Sequence, residues 1–207
     1  MVLQNFIVFE GIDGSGTSTQ LKLLQEKLPS QKTLLTTEPT ESSTGKFLRS
    51  VLRGDITVTA GTAAFLFAAD RYEHLYSKNG IVETCNNGGI VLSDRYLFSS
   101  LAYQSATCGK DLPEMLNSQF PLPEYLFFFD IEPSLSLKRI SNRGVTEIYE
   151  KQDFLEKTAK EYRRVIQQYK NMNLENMKII TLDASESIEL VTEKIWSYIK
   201  NLPILKK

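Results

Sequence analysis

The chain is most constrained by a glycine-rich stretch near its start, which lies between an apolar run and a helical pattern. Residues 6–10 read FIVFE and have strand character, and residues 11–20 read GIDGSGTSTQ. Leucines with helical spacing follow at positions 21, 24 and 28. Gly11, Gly14 and Gly16 allow backbone conformations that residues with a Cβ atom resist, so successive N–H groups can converge on one anion. The stretch therefore predicts a strand, a phosphate-binding loop and a helix whose N-terminus adds its dipole.

One position of this loop departs from the usual pattern, G-x-x-x-x-G-K-[ST]. Gly11, Gly16 and Ser18 have the correct spacing, but Thr17 stands where the pattern has lysine. That lysine normally supplies a positive charge to the transferring phosphate. Ser18 occupies the position whose hydroxyl ligates Mg²⁺ on the β- and γ-phosphates. We therefore expect a nucleotide-binding loop that lacks the positive charge of its usual lysine.

The composition is ordinary for a soluble globular protein. The chain has 207 residues, enough for one domain with a substantial core, and 42% of them are hydrophobic. A formal net charge of −1 argues against a nucleic-acid surface, because duplex binding depends on several Lys and Arg side chains. No apolar run approaches the ~20 residues that span a bilayer, and no signal-peptide pattern precedes the first strand. We therefore expect a cytoplasmic protein without a nucleic-acid or membrane partner, in which Cys85 and Cys108 are reduced.

Strand patterns alternate with helical patterns along the chain. The predicted strands cover residues 6–10, 32–38, 89–94, 125–131 and 178–183. The predicted helices cover residues 43–52, 62–76, 80–87, 98–106, 112–120 and 187–200, with one helix from Pro133 and a long one ending near Asn171. This alternation is typical of an α/β fold with a five-stranded parallel sheet, which binds ligands beyond the carboxyl ends of its strands. We predict a single domain over residues 1–207.

Two clusters of residues point to ligand binding, and each has a structural alternative. Asp94 and Arg95 follow the third strand, where the carboxylate could hold Mg²⁺ and the arginine could clamp a second phosphate. A purely structural Asp–Arg pair at a helix start is the alternative. Phe67 and Arg71 lie one turn apart on a helix and could stack on and hydrogen-bond a base. A core phenylalanine beside a solvated arginine is the alternative.

Taken together, six segments resemble the thymidylate kinase family, in order and over essentially the whole chain. They are FEGIDGSG (9–16), Glu38-Pro39, LFAADR (66–71), DRYLFSSLAYQ (94–104), PEYLFFFDIEP (123–133) and the RxxxR stretch from Arg139 to Arg143. The sequence departs from the family at three places. Thr17 replaces the lysine, Thr37 replaces the arginine that commonly precedes Glu-Pro, and Thr-Glu follows Glu38-Pro39 where many bacterial members have Gly-Gly.

The resemblance implies a fold and a reaction. The fold is a three-layer P-loop kinase fold, with the phosphate loop at residues 11–18 and a short mobile lid at about 139–152. The reaction is transfer of the γ-phosphoryl group of ATP, with Mg²⁺, to dTMP, which forms dTDP for dTTP synthesis. The resemblance also implies a homodimer.

The resemblance further implies a role for each matched residue on the dTMP side. Phe67 stacks on thymine, Arg71 bonds its O4, and Tyr103 crowds a 2′-hydroxyl and so favours deoxyribose. Arg95 holds the acceptor phosphate, and Asp13 meets the 3′-hydroxyl or the metal shell. The implied dTMP residues are Asp13, Glu38, Phe67, Arg71, Arg95, Ser99, Ser100, Tyr103 and Gln104.

On the ATP side, the resemblance implies the phosphate loop, the lid and one turn. The implied residues are Gly11, Ile12, Asp13, Gly14, Ser15, Gly16, Thr17, Ser18, Thr19, Arg139 and Ala184, with Ser18 and Asp94 for the metal. The implied catalytic residues are Asp13, Arg95, Arg139 and Arg143. Ser15 stands where some members place a loop arginine, which fits lid arginines in that role. We hypothesise that Arg139 and Arg143 compensate for the missing lysine.

Two alternative functions remain open at this stage. A kinase for another nucleotide is disfavoured by LFAADR and by Tyr103 with Gln104. A nucleotide-binding paralogue without catalysis is favoured by Thr17 alone, and intact Ser18 and the other motif residues argue against it. We expect His74, the only histidine, to be packed or solvated rather than catalytic, and residues 127–129 to be core.

Overall fold

The structure is a computed structural model, and it describes residues 1–29, 32–141, 152–202 and 205. The strands are β1 (Val2–Gly11), β2 (Thr33–Thr37), β3 (Ile90–Asp94), β4 (Leu122–Asp130) and β5 (Lys178–Asp183). The helices are α1 (Thr17–Gln25), α2 (Ser43–Leu52), α3 (Ala60–Tyr76), α4 (Ile81–Asn86), α5 (Leu97–Cys108), α6 (Asp111–Asn117), α7 (Pro133–Ile140), α8 (Gln152–Asn171) and α9 (Ile188–Ile199).

The five strands form one parallel sheet in the order β2-β3-β1-β4-β5. Helices cover the sheet, so the predicted α/β class and the parallel five-stranded sheet are confirmed. β1 lies at the centre, with β3 on one side and β4 on the other. The strand order therefore reverses at β1, and such a reversal opens a crevice at the carboxyl ends of the strands.

Aromatic side chains fill the centre of the sheet. Phe9 stacks on Phe127 with ring centroids 5.5 Å apart, and Phe127 stacks on Tyr125 at 6.1 Å. Residues 127–129 are buried, as expected of core. Because the inner residues of β1 and β4 are mostly apolar and are buried on both faces of the sheet, these strands anchor the loops that follow them.

β4 begins at Leu122, three residues before the predicted start. Proline cannot donate a hydrogen bond to a strand ladder. In the structure β4 pairs with β1 from Leu122, whereas its pairing with β5 begins only at Tyr125. Pro123 therefore lies where β4 has a neighbour on one side only, and its missing N–H costs no ladder bond.

The predicted lid lies largely outside the described residues. α7 ends at Ile140, α8 begins at Gln152, and the positions from 142 to 151, Arg143 included, are not described. Within the described ranges, no helix is both long enough and apolar enough to cross a membrane.

Candidate active site

The phosphate loop is a tight turn between β1 and α1. The carbonyl of Ile12 accepts the Ser15 N–H at 3.1 Å, and Gly14 and Gly16 have φ values of 81° and 99°. A Cβ atom on Gly14 would lie 2.8 Å from the carbonyl oxygen of Ser136 in α7. The Ser136 hydroxyl also donates to the carbonyl of Asp13. Glycine at position 14 is therefore required both by its backbone conformation and by the close approach of α7.

The loop lies between two cavities, which we name the α3–α5 cleft and the α9 cavity. The α3–α5 cleft is the larger, about 990 Å³ including its open mouth, and α2, α3, α5 and the loop line it. The α9 cavity is lined by the loop, by Arg139 and by the β5–α9 connection. Gly14, Gly16 and Thr19 line both cavities. Two ligands, one in each cavity, would therefore meet each other at the loop.

The structure brings together the residues that the sequence predicted. All nine residues implied for dTMP line the α3–α5 cleft. Arg139 and Ala184, implied for ATP, line the α9 cavity with Ser15. Gly11 and Ile12 instead form the base of the loop, where Ile12 is 3% exposed and a Cβ on Gly11 would lie 2.9 Å from the Phe129 carbonyl oxygen.

Arg95 is held at the centre of the α3–α5 cleft in a strained turn. Its φ is 72°, a left-handed value that is uncommon for arginine. Its Nη1 donates to the Gly11 carbonyl at 2.9 Å, and its Nη2 donates to Asp13. The Tyr103 hydroxyl donates to the other oxygen of Asp13 at 2.8 Å, and the guanidinium lies over the Tyr103 ring, 5.2 Å from its centroid. The arginine is therefore fixed before any ligand binds.

Arg71 is fully buried beneath the same cleft. It donates to Glu38 at 3.0 and 2.5 Å, to Asn117, and to Ser100 at 3.1 Å. Burial raises the pKa of Glu38, but Arg71 and His74 outweigh it and hold that pKa below its ordinary value. Four of the five guanidinium N–H donors are thus used, which leaves one on Nη1 without a partner in the described chain. The predicted alternative of a solvated arginine is wrong.

A carboxylate oxygen beside the loop is left without a partner. Asp94 ends β3, and its Oδ2 accepts from the Ser18 hydroxyl. Its Oδ1 is buried and has no hydrogen-bond partner among the described residues. A buried acceptor of this kind is rare and calls for an explanation. These are the two residues that the sequence assigned to a metal.

Arg139 joins the loop to the β5–α9 turn. Its Nη1 donates to the Gly14 carbonyl at 3.4 Å and its Nη2 to the Ala184 carbonyl at 3.0 Å. The guanidinium therefore lies beside the phosphate loop in the α9 cavity. Arg143, its predicted partner, lies outside the described residues.

A family model described as thymidylate kinase matches residues 9–195, which is most of the chain. The chain belongs to the thymidylate kinase family. The chain is 42% identical over 207 residues to a Treponema pallidum protein provisionally named thymidylate kinase, and the match covers 99% of each. The chain is also 43% identical over 173 residues to thymidylate kinase of Leptospira interrogans serovar copenhageni, a match that covers 78% of this chain and 81% of that one.

A solved structure of thymidylate kinase from Candida albicans has the same fold. Its TM-score is 0.79 at 25% identity, and the match covers 97% of this chain and 92% of that chain. The chain is therefore an enzyme that transfers the γ-phosphoryl group of ATP to dTMP. The named relatives favour neither a kinase for another nucleotide nor a protein without catalysis, and the predicted function is confirmed.

The sequence missed several residues of this thymidylate kinase site. Arg49 lines the α3–α5 cleft from α2, where its Nη2 donates to the Pro39 carbonyl. Asn117 accepts from Arg71, and Glu10 and Tyr162 lie behind Arg95. A glutamate inside the apolar run of β1 was a signal for Glu10, whereas nothing in the spacing pointed to Asn117. His74 is packed, as expected, with its Nδ1 3.1 Å from Glu38.

Proposed function

We propose that dTMP binds in the α3–α5 cleft and ATP in the α9 cavity, with the phosphates of both nucleotides at the loop. The observation that carries this proposal is the sharing of Gly14, Gly16 and Thr19 by the two cavities. Phosphoryl transfer requires little covalent chemistry from a protein, and depends on aligning two anionic groups and neutralising the charge between them. Two cavities that open onto one phosphate loop supply that alignment.

The base is read by Phe67, Arg71 and the start of α5. The remaining N–H donor on Arg71 Nη1 suits the O4 acceptor of thymine, whereas cytosine presents an amino donor at the same place. Gln104, whose Oε1 is buried without a partner in the described chain, supplies a further acceptor at this end of the cleft. Phe67 lies on the cleft wall, where its ring can stack on the base.

The sugar and the acceptor phosphate meet Asp13, Tyr103 and the arginines. Because the Tyr103 hydroxyl is bonded to Asp13, its ring is held against the sugar position and disfavours a 2′-hydroxyl. Arg95 is the clamp for the acceptor phosphate. Arg49 adds a second cation on this side, since its Nε is buried without a partner among the described residues. It compensates for Thr37, where the family commonly has arginine.

Ser18 and Asp94 fit Mg²⁺. The unpaired Asp94 Oδ1 and the Ser18 hydroxyl would bind the metal. The described residues contain no group of three or more His, Cys, Asp or Glu side chains that could hold an ion without other ligands. Few protein ligands together with phosphate oxygens are the usual arrangement for Mg²⁺. When bound, the ion neutralises negative charge on the phosphates of ATP.

Arg139 supplies positive charge on the ATP side in place of the lysine that Thr17 replaces. Of the described residues that line the α9 cavity, Arg139 is the only Lys or Arg. Its contact with the Gly14 carbonyl keeps it at the loop. A share of the same role for Arg143 stays a prediction.

We also propose a cytoplasmic homodimer that forms through the exposed face of α3. Phe65, Tyr72 and Tyr76 are 55%, 56% and 48% exposed, and their spacing puts them on one face of the helix. Phe47 of α2 is 40% exposed as well. A second copy of the chain, presenting the same aromatic face, would cover this surface. A sedimentation mass equal to one chain would contradict the dimer.

The experiment that tests the proposed function is a coupled assay with ATP, Mg²⁺ and a panel of monophosphates. We expect dTMP to be phosphorylated well ahead of dCMP, dGMP and the ribose form of TMP, because Arg71 reads O4 and Tyr103 excludes the 2′-hydroxyl. Omitting Mg²⁺ serves as the control and should abolish turnover. Equal rates with dTMP and dCMP would contradict the assignment of base recognition to Arg71.

A further inference from the structure

Glu10 is a fully buried carboxylate behind the α3–α5 cleft, and the reaction as described makes no use of it. It lies in β1, directly before the phosphate loop, and is 0% exposed. All four of its hydrogen bonds go to α5, α8 and the turn before α5. A buried carboxylate is costly, so it persists only where its contacts compensate for lost hydration.

One oxygen of Glu10 caps the helix that follows Arg95. Glu10 Oε1 accepts from the backbone N–H groups of Tyr96 at 2.8 Å and Ser99 at 3.1 Å. These are N–H groups at the start of α5, and the N-cap residue itself, Tyr96, forms no side-chain cap. A carboxylate at a helix N-terminus also interacts favourably with the helix dipole. Glu10 therefore fixes the left-handed turn that carries Arg95.

The other oxygen of Glu10 orients two hydroxyl groups that hold the guanidinium. Glu10 Oε2 accepts from the Ser99 hydroxyl at 2.7 Å and from the Tyr162 hydroxyl at 2.8 Å. Arg95 Nη1 donates to the same two oxygens, at 3.2 Å and 3.3 Å. A hydroxyl has a single proton, so donating it to Glu10 leaves lone pairs for Arg95. Burial and then the Glu10 carboxylate raise the pKa of Tyr162 well above its ordinary value, so the phenol keeps its proton.

We infer that Glu10 is a positioning residue for the acceptor phosphate, because it holds Arg95 both through the start of α5 and through Ser99 and Tyr162. This inference rests on the proposed role of Arg95 in binding dTMP. Glu10 acts through Arg95 and does not line either cavity among the described residues.

Glu10→Gln is the sharpest test, because it keeps the shape and the cap. The glutamine oxygen can still accept from Tyr96 and Ser99, but its amide nitrogen donates where Oε2 accepted. The Ser99 and Tyr162 hydroxyl protons must then turn away from residue 10. One can be donated to the other hydroxyl, 2.8 Å away, but the second is left facing Arg95. We expect the Kd for dTMP, measured by calorimetry at pH 8 where Glu10 is mostly ionised, to rise about tenfold, and the Kd for ATP to change less than about twofold.

A double-mutant cycle separates positioning from a general structural role. If Glu10 acts through Arg95, Glu10→Gln has little further effect on dTMP binding once Arg95→Ala is present. A tenfold effect that persists in the Arg95→Ala background would overturn the inference. So would an equal loss of ATP and dTMP binding.

Two more variants keep the test decisive if Glu10→Gln folds poorly. Tyr162→Phe retains the ring that packs on Phe128 but removes one hydroxyl, and we expect about a threefold weaker Kd for dTMP. Glu124→Gln, on β4 away from the cleft, is the matched control and should leave both Kd values unchanged. Unchanged dTMP binding in both Tyr162→Phe and Glu10→Gln would overturn the inference about Glu10 but would leave the assignment of Arg95 standing. Unchanged binding in Arg95→Ala would overturn the Arg95 assignment as well.

Discussion

The two cavities that meet at the phosphate loop hold their charged side chains in different ways. In the α3–α5 cleft, each arginine is paired with an acidic side chain: Arg71 with Glu38, Arg95 with Asp13 and Arg49 with Glu41. In the α9 cavity, Arg139 donates only to backbone carbonyls among its described contacts. The arginines of the α3–α5 cleft are thus held by side-chain networks, whereas in the α9 cavity the described charge is one arginine held by the backbone.

This difference teaches where the chain specifies its substrate. Side chains that are already held by hydrogen bonds in the folded protein lose little conformational entropy when a ligand binds. Such a network favours the one ligand that fits its fixed geometry. Every P-loop enzyme must bind the common phosphates of a nucleoside triphosphate, and the backbone N–H groups of the loop supply a generic part of that binding. Recognition of one monophosphate demands more, and the buried polar groups lie at the α3–α5 cleft, where we propose that dTMP binds.

Removing an arginine from the α3–α5 cleft should have the largest effect on activity. We expect Arg95→Ala to lower kcat/KM for dTMP by about 10³, because it removes a fixed cation from the acceptor phosphate. The Kd for ATP should stay within about twofold. The matched control is Arg163→Ala, which removes a half-exposed arginine of α8 that pairs with Asp130 and Glu132 outside the cleft. Unchanged kinetics in Arg95→Ala would show that Arg95 is structural.

The buried Glu10 carboxylate behind the α3–α5 cleft should also lower the stability of the fold, by an amount that depends on pH. Burial raises the pKa of Glu10 from 4.5 to about 7, although Arg95, Ser99 and Tyr162 lower it. Because the folded pKa is the higher one, the contribution to stability is complete below about pH 4.5 and is lost as pH rises through 7. Residue 10 cannot titrate in Glu10→Gln. The free energy of unfolding of this variant minus that of the wild type should therefore increase by about 2–3 kcal/mol from pH 5 to pH 8.

Urea unfolding of both proteins at the two pH values measures this gain. Glu193→Gln replaces an exposed glutamate of α9 and is the control, for which we expect no such gain. If the difference between wild type and Glu10→Gln is the same at pH 5 and pH 8, the carboxylate is not the costly group.

The ATP side should give the smallest effect, and one that can be repaired. We expect Arg139→Ala to lower kcat by about tenfold or more with little change in ATP affinity, because backbone N–H groups still hold the phosphates. Adding Thr17→Lys to that variant should restore part of kcat, since both cations address the same charge. The same pair of measurements applies to Arg143. A loss under tenfold, or no rescue, would place the compensating charge elsewhere.

The sequence was sufficient to predict the fold and the edge of the sheet at which the candidate site lies. Apolar runs such as residues 90–92 lie in buried strands, and motif residues such as Asp94 lie at the carboxyl ends of those strands, where a parallel sheet binds ligands. The phosphate loop and the segment from Asp94 to Gln104 are each local in sequence, so their resemblance to the family's motifs could be recognised without the structure. The strand limits were less accurate, because the start of β4 depends on which neighbours it has.

The contacts behind the site could not be predicted, because they join residues far apart in the chain. Tyr162 and Glu10 are 152 positions apart, and Arg71 and Asn117 are 46 apart. Their meeting depends on how α8 and α6 pack on α5 and α3, which no local pattern encodes. Arg49 was missed for a different reason: its contact with Pro39 spans only ten positions, but a helical arginine looks like a solvated one in the sequence.

A crystal structure with dTMP bound tests the central claim most directly, namely that the dTMP side is set before the ligand arrives. We expect the phosphate of dTMP within hydrogen-bond distance of Arg95, and the guanidinium groups of Arg71 and Arg95 within about 1 Å of their present positions. Arg95 should keep its bonds to Gly11, Ser99 and Tyr162. A phosphate bound away from Arg95, or an Arg95 side chain displaced by more than about 2 Å, would contradict the claim.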